Sequence, residues 1–139
     1  MSFLDDVIKH IQTEGAATFG PDWYPVFYPC MFAGNYPSTA PDKCILVKAT
    51  GGLPPSKEVS IRQPTIQILS RAPHSPEAEA NLRAIYTLFH GVNNAKHNYV
   101  IGSYYVYVSH AIQEPGDIGP DAKGRAEWSC NFIFKITPA

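Results

Sequence analysis

The sequence predicts a two-layer α+β domain in which two helices pack on one face of a mainly antiparallel sheet of about five strands. Two segments repeat apolar residues at the spacing of a helix, and several others alternate apolar and polar residues as half-buried strands do. The elements follow the order α-β-β-β-α-β-β, and two helices suffice to cover one face of such a sheet. With 139 residues, of which 45% are apolar and 17% charged, the chain is expected to fold as a single domain, residues 1–139.

The first helix is predicted over about residues 3–14. Ser2 is placed to cap it, Asp5 and Asp6 lie in the first turn, where the helix dipole favours acids, and Gly15 is expected to end it. Its apolar residues recur at helical spacing and are Leu4, Val7, Ile8 and Ile11. This stripe predicts that the helix covers the sheet.

The next segments predict two strands followed by a long loop. Residues 26–32 form an apolar strand, which Pro29 places at an edge or in a bulge because proline lacks the N–H that a central strand donates. The loop 33–43 leads into a second strand at 44–50, and two strands joined without a helix are expected to pair antiparallel. Residues 51–63 follow as a loop whose length is typical of functional or flexible segments.

A third strand, predicted at 64–71, leads into the second helix. Ser75 is expected to cap this helix, Pro76 to take its first position and Gly91 to end it. Its apolar stripe consists of Ala78, Leu82, Ile85, Tyr86 and Phe89. Such a stripe is more often core than a ligand-binding surface, so the helix is expected to pack on the sheet.

The last two strands are predicted over 99–112 and 126–136, paired antiparallel across the polar, turn-rich segment Gln113–Arg125. The first has apolar or tyrosine residues on both sides, which is typical of a strand that is central in its sheet or covered by another subunit. The second alternates closely, and its buried face is predicted to hold Trp128, Cys130, Phe132, Phe134 and Ile136. The face turned away from the helices is expected to carry tyrosines together with Thr65, Gln67, Ser109, Asn131 and Lys135.

Composition argues against several classes of function. The formal net charge of −1 does not favour a dedicated nucleic-acid binder, which needs a basic surface to neutralise phosphates. Cys30, Cys44 and Cys130 are odd in number and widely spaced, so we expect buried free thiols in a reducing compartment. The first residues do not resemble a signal peptide, and no apolar run reaches the ~20 residues of a membrane helix. A soluble protein made in the cytoplasm, with no membrane partner, is therefore expected.

Three alternatives to a structural role can be weighed from the residues. A cysteine-dependent hydrolase needs a thiol beside a histidine, but the five histidines have no spacing that pairs one with a cysteine. Asp117 and Asp121 lack the alternating oxygen ligands and final acid of a calcium loop, so they are interpreted as turn residues. An RNA-binding or small-molecule-binding α+β module also combines two helices with aromatic strands, although residues 126–134 lack the basic–Gly–aromatic motif of RNA-binding sheets. We expect no enzymatic activity and no catalytic, cofactor-binding or metal-binding residues.

A charged group near the end of the chain has two interpretations. Arg125 and Glu127 lie two residues apart and share a face if both belong to the strand, while Arg71 ends the third strand. The group is either a solvated rim pair of little energetic value or an ion pair between subunits, for which guanidinium geometry is well suited. The sequence leaves both open.

Longer patterns in the chain resemble a known family. They are RQPTIQILSR at 62–71, IYTLFHG at 85–91, and Q-x-P-x-x-I-G-x-D-x-x-G-R-x-E-x-S-x-N-F from Gln113 to Phe132. Together they resemble the tail terminator or tail completion proteins of long-tailed phages, also called minor capsid proteins, over residues 3–137. The resemblance implies an α/β sheet with helices on one side, no catalytic residue and no cofactor.

The same resemblance implies a structural role in the virion. Such proteins form a ring, typically hexameric, that caps the head-proximal end of the tail tube and stops its polymerisation. The ring joins the tail tube protein to head-completion or stopper proteins at the head–tail junction, and DNA passes through its channel without specific binding.

This implied role selects candidate residues for subunit or partner contacts. They combine tyrosines of the strand 99–112, charged residues around Gln113–Arg125 and basic residues between 51 and 71. The candidates are Tyr105, Tyr107, Gln113, Asp117, Asp121, Arg125, Glu127, Arg71, Lys57 and Arg62. Tyrosine and arginine are the residue types that contribute most energy at protein interfaces.

Overall fold

The computed structural model describes residues 3–19, 31–33, 44–54, 60–91 and 95–138. The two helices in these ranges are α1 (Phe3–Phe19) and α2 (Ser75–His90). The described strands are β1 (Met31–Ala33), β2 (Cys44–Leu53), β3 (Gln63–Ala72), β4 (Lys96–Ile101), β5 (Tyr104–Ala111), β6 (Gly116–Pro120) and β7 (Ala126–Pro138). The predicted α+β class is confirmed, with seven strands in one sheet where about five were expected.

The long strand β7 organises the sheet. It pairs antiparallel with β3 along one side, and with β6 and then β5 along the other. The sheet follows the order β1-β2-β3-β7-β5-β4, with β6 beside the first half of β7. The predicted antiparallel pairing of the last strand with the strand before it is confirmed by the β5–β7 ladder.

One continuous core lies between the helices and a single face of the sheet. The predicted alternation of β7 is confirmed, because Cys130, Phe132, Phe134 and Ile136 are fully buried and Trp128 is partly buried against the core. Phe89 of α2 packs edge-on against Phe132 and Phe134, with ring centroids 5.6 and 5.3 Å apart. Each fully buried large apolar side chain contributes roughly 1.5–3 kcal/mol, so these rings join the two layers.

The second helix agrees closely with its prediction. Ala78, Leu82, Ile85 and Phe89 are buried, and Gly91 ends the helix at φ 70°, donating its N–H to the Thr87 carbonyl at 3.1 Å. The predicted capping role of Ser75 is wrong. His74 occupies the cap position and makes no side-chain capping bond. The Ser75 hydroxyl instead accepts a hydrogen bond from Trp128 Nε1 at 2.9 Å, so a contact with β7 replaces the local one.

The first helix is longer than its pattern predicts. It continues through Gly15 to Phe19, whereas Gly15 was expected to end it. Glycine inside a helix costs only about 1 kcal/mol relative to alanine, and Gly15 is buried here, so tertiary packing outweighs propensity. Val7 and Ile11 are fully buried as predicted, and the Ser2 cap lies outside the described residues.

The single strand predicted at 99–112 is wrong, because the chain folds back within it. β4 and β5 are separated by a two-residue turn at Gly102 and Ser103, and Gly102 takes the left-handed φ of 56° that glycine permits. Apolar and tyrosine residues continue on both sides of this turn. The reversal of the chain at Gly102 and Ser103 therefore could not be predicted from the pattern of apolar residues.

A bulge in β5 also changes which side chains face the core. The register between β5 and β7 shifts between Val106 and Val108. Ser109 was expected on the face away from the helices, yet it is fully buried, and its hydroxyl donates to the Phe89 carbonyl at 2.7 Å. One extra residue in a strand reverses the faces of those that follow, which simple alternation cannot anticipate.

The expected antiparallel pairing of the first two strands is wrong for the part that is described. Met31 lies opposite Ile45 and Ala33 opposite Val47, so β1 runs parallel to β2 at the sheet edge. The ten residues between β1 and β2 can span up to roughly 30 Å, which is long enough to return to the same end of a three-residue strand. Residues 26–30, including Pro29, and most of the loop 33–43 lie outside the described residues.

Two segments predicted as loops contribute strand residues. β2 extends to Leu53 and β3 starts at Gln63, so both ends of the predicted 51–63 loop continue their strands. Within Gln113–Arg125, the five residues of β6 pair with the start of β7. Glycines and prolines in these segments suggested turns, but the adjacent strand supplies hydrogen-bond partners that the local sequence does not reveal.

Candidate assembly surface

The face of the sheet opposite the helices, here called the outer face, is the candidate site for assembly. Side chains that lie opposite one another in the ladders form rows across this face. From one end to the other, these rows are Val100–Tyr105–Thr137, His97–Val108–Lys135, His110–Ile133–Thr65, Asn131–Gln67–Lys48, Ser129–Leu69–Leu46 and Glu127–Arg71–Cys44. The first row lies where β7 ends, and the last lies where it begins.

Burial divides the outer face into a covered end and an open end. Leu46 and Arg71, in the last two rows, are each only 5% exposed. In contrast, Val100 is 52% exposed, Tyr107 is 38% exposed, and Lys135 is also exposed. The part of the outer face that is open to a partner therefore lies around β4, β5 and the second half of β7.

A group of three side chains at the open end, here called the tyrosine patch, consists of Val100, Tyr105 and Tyr107. The two tyrosine rings meet edge to face, with centroids 5.0 Å apart. The Tyr105 hydroxyl donates to Asn98 Oδ1 at 3.0 Å, and Val100 lies opposite Tyr105 in the ladder. These contacts hold the rings in place before any partner arrives, which lowers the entropy lost on binding.

The middle of the outer face carries short polar side chains that bond to one another. Gln67 Nε2 donates to the Ser129 hydroxyl at 2.9 Å across the β3–β7 ladder. The hydroxyls of Thr50 and Thr65 are 2.7 Å apart on β2 and β3. This region is polar and hydrogen-bonded, and resembles the polar rim of an interface more than its apolar centre.

At the other end of β7, residues 121–125 form a tight turn built around one carboxylate. Asp121 Oδ1 accepts from the backbone N–H groups of Lys123 and Arg125 at 2.9 Å each, and Asp121 Oδ2 accepts from Arg125 Nε at 2.7 Å. Burial raises the pKa of Asp121, but the hydrogen bonds from Arg125 and Lys123 outweigh it, and the net pKa is lowered. We call this segment the Asp121 turn.

The structure favours an intrachain role for the charged group that the sequence left open. Arg125 bonds to Asp121 within its own turn. Glu127 lies opposite Arg71 in the β3–β7 ladder, and Arg71 is a buried residue at the covered end of the outer face. A guanidinium that is already hydrogen-bonded in its own chain is poorly placed to form a separate ion pair with a neighbour.

The remaining predicted residues are spread along the sheet. Asp117 accepts from the Gly119 N–H at 2.8 Å within β6, and the Gln113 carbonyl lies 3.3 Å from Cys130 Sγ. The Arg62 guanidinium lies over the Tyr104 ring, 5.4 Å from its centroid, next to the end of β7. Lys57 lies outside the described residues.

The predicted interface residues therefore form two groups at opposite ends of β7. Tyr105, Tyr107 and Arg62 lie where the strand ends, whereas the others described lie around its start. An extended strand rises about 3.3 Å per residue, so Glu127 and Thr137 are roughly 33 Å apart. One chain thus presents two separate surfaces of different chemistry.

A cavity on the helix side of the sheet was not predicted from the sequence. It lies between α1 and the β4–β5 turn, and it brings Asp6 and His10 together with Gly102. The two polar side chains are four residues apart on α1, beside the buried Val7 and Ile11, and this spacing was the available signal. It was not recognised because the turn that closes the cavity was predicted as continuous strand.

The thiol of Cys130 shows no sign of activation. Cys44 and Cys130 are buried thiols, as predicted, while Cys30 lies outside the described residues. Burial raises the pKa of Cys130 to about 12, so it stays a thiol at neutral pH and not the thiolate that acts as a nucleophile. Among the described residues, no three His, Cys, Asp or Glu side chains come together as a metal site. No helix in the described ranges is long and apolar enough to cross a membrane.

Comparison with known protein families identifies a match over most of the chain. A family model described as bacteriophage tail terminator protein matches residues 10–138, which cover the seven described strands, α2 and most of α1. No curated protein matches the chain.

Proposed function

Because this chain belongs to the bacteriophage tail terminator family, we propose that it forms a closed, hexameric ring at the head-proximal end of the tail tube. The family is a structural one, and the chain is a component of the phage tail. In the proposed role, the ring stops polymerisation of the tube and joins the tail to the head-completion proteins. It acts by contact and performs no chemistry.

The observation that supports a ring is the separation of two different surfaces along β7. A closed ring of identical copies, if it has more than two members, needs two patches that meet head to tail. The tyrosine patch and the Asp121 turn lie at opposite ends of β7, where Glu127 and Thr137 are roughly 33 Å apart, so neighbours can bind both at once. We assign the tyrosine patch to one side of the subunit contact and the region of the Asp121 turn to the other.

The two surfaces differ in a way that suits this assignment. The tyrosine patch is apolar and aromatic, with exposed edges that lose water on contact. Around the Asp121 turn, β6 exposes Ile118, which is 54% accessible, and its sequence neighbour Asp117 is also exposed. Aromatic side chains that enter such a partly apolar surface account for most of the binding energy in protein interfaces.

The proposed partners are further copies of the chain, the tail tube protein and a head-completion or stopper protein. We place the ring at the head–tail junction of the virion. A near-neutral chain suits a channel through which DNA slides, because phosphates are not held by a basic lining. DNA is therefore expected to pass without specific binding.

The proposal is tested by replacing Tyr107 with alanine in the full chain. Tyr107 is 38% exposed, so Tyr107→Ala should keep stability within about 1 kcal/mol while reducing ring formation at least tenfold in protein concentration. Thr87→Ala, on the exposed surface of α2, is the matched control and should leave assembly unchanged. Native mass spectrometry over a concentration series measures both. Unimpaired Tyr107→Ala rings would remove the tyrosine patch from the interface.

A further inference from the structure

The acids around β6 differ in whether a cation of the same chain binds them. Glu114 Oε2 lies 3.5 Å from Arg83 Nη1, and Asp121 Oδ2 lies 2.7 Å from Arg125 Nε. Asp117 is exposed, and its one hydrogen bond among the described residues is accepted by Oδ1 from a backbone N–H within β6 at 2.8 Å. On this exposed side chain, the second carboxylate oxygen is therefore available to a donor from another chain.

The open end of the outer face carries the opposite charge. Lys135 is exposed there, in the row next to that of Tyr105, and His97 lies in the same row as Lys135. Within the described part of the chain, Lys135 forms no ion pair, and no acidic side chain lies on this end of the outer face. Lys135 is thus a positive charge without a counterion at the edge of the tyrosine patch.

The carboxylate of Asp117 and the ammonium group of Lys135 cannot meet within one chain. Asp117 lies opposite Trp128 in the β6–β7 ladder, and Lys135 lies seven residues after Trp128 along β7. A strand rises about 3.3 Å per residue, so the two side chains are anchored roughly 23 Å apart. Exposed charges are screened over about 8 Å at physiological salt. An ion pair for either residue therefore requires another chain.

We propose that Asp117 of one copy forms an ion pair with Lys135 of the next copy, at the border of the apolar centre of their contact. The inference rests on the proposed ring. Each charge lies near a large exposed apolar side chain. Ile118, 54% exposed, directly follows Asp117 in β6, and the tyrosine patch with Tyr107, 38% exposed, adjoins the row of Lys135. Placing Ile118 on the tyrosine patch brings the opposite charges to the rim of one contact, which is the arrangement of complementary interfaces.

The ion pair also gives the contact between copies a direction. A contact between two tyrosine patches would bring Lys135 of one copy towards Lys135 of the other, and a contact between two β6 strands would do the same with Asp117. Like charges brought together oppose both of these contacts. In a head-to-tail ring, each copy uses its carboxylate on one neighbour and its ammonium group on the other, so both charges of every copy are paired.

Charge exchange in the full chain tests the ion pair. Asp117→Lys and Lys135→Asp should each raise the protein concentration at which rings form at least about tenfold, because each places like charges at every contact. The double variant should return this concentration to within about threefold of the parent value, because the pair is restored in reverse. Lys48→Asp, the same charge change at another exposed lysine of the outer face, is the control and should not rescue Asp117→Lys. A double variant as impaired as the single ones would overturn the pair. Asp117→Asn and Lys135→Gln, which remove only the charges, should weaken assembly about threefold and repeat the test if a reversal unfolds the chain.

Mixing the two single variants distinguishes the ion pair from the proposed ring. At the concentration where the parent assembles, neither variant should form rings alone, whereas Asp117→Lys and Lys135→Asp together make favourable contacts when they alternate. Native mass spectrometry should then show rings with equal numbers of both variants. Parent rings without assembly of the mixture would refute the ion pair and leave the ring supported. Dimers or open chains that respond to the charge exchange would contradict the closed ring and support the pair, and a parent chain that stays monomeric would contradict both.

Discussion

Lowering the pH from 7 to 4 is expected to destabilise the fold through His10. The pKa of this buried imidazole is about 4 in the folded chain, against 6.5 for an exposed histidine. The unfolded chain therefore takes up a proton that the folded chain excludes, so the free energy of unfolding falls as pH drops through this window. The full difference between the two pKa values corresponds to a loss of about 3 kcal/mol in the free energy of unfolding. Because part of the ring reaches solvent, we expect a loss of about 2–3 kcal/mol. This contribution is complete above pH 6.5 and lost by pH 4.

The assay is urea denaturation at several pH values, with His10→Gln as the variant that cannot titrate. Asp6, Glu14 and Lys96 remain in both chains, so the difference between their stabilities isolates the imidazole. That difference should change by about 2–3 kcal/mol between pH 7 and 4. His97→Gln, on the exposed part of β4, should follow the parent chain. Parallel curves for the parent and His10→Gln would show that burial does not suppress the charge.

Three further predictions concern packing and turns. Phe132→Ala should lower the free energy of unfolding by about 3–5 kcal/mol, because it opens a cavity between β7 and α2, and a loss under 1 kcal/mol in urea would contradict this packing. Arg125→Glu should place a second carboxylate beside Asp121 and speed hydrogen exchange across residues 116–126 while β3 stays protected; unchanged exchange would mean that their contact does not hold the turn. Gly102→Ala should cost more than about 1 kcal/mol, because φ is 56° and the new Cβ meets Asp6, and a wild-type melting temperature would contradict this.

Elements whose signals are local could be predicted well from the sequence. The period-2 pattern of β7 identified its buried face because the strand is regular and one side meets the helices. The second helix was equally clear, since Pro76 lies in its first turn, Gly91 ends it and its stripe repeats at helical spacing. In both elements, local pattern and tertiary packing agree.

The features that were missed depend on contacts between distant residues. The β4–β5 turn lies inside a continuous run of strand-forming residues, and only the pairing of β4 with β5 shows where the chain reverses direction. Ser75 has the sequence of a helix cap, but Trp128 reaches it from β7. The bulge that buries Ser109 depends on the register between β5 and β7, and this register cannot be read from the sequence of either strand alone.

The candidate site was predictable in its residues but not in its arrangement. Tyr105 and Tyr107 were identified by residue type, and they lie at the open end of the outer face. Arg125 was also identified as an interface candidate, but it donates a hydrogen bond to Asp121 and so stabilises the turn of its own chain. The Asp6 and His10 cavity requires knowledge of the β4–β5 turn, which assembles it from segments far apart in the chain.

In the proposed role, this chain closes into a ring that caps one end of the tail tube. Its most direct test is electron microscopy of the purified chain mixed with purified tail tubes, with the mass of the complex measured in parallel. We expect hexameric rings at one end of each tube and no further tube growth from the capped end. A chain that stays monomeric beside the tubes and leaves both ends growing would contradict it.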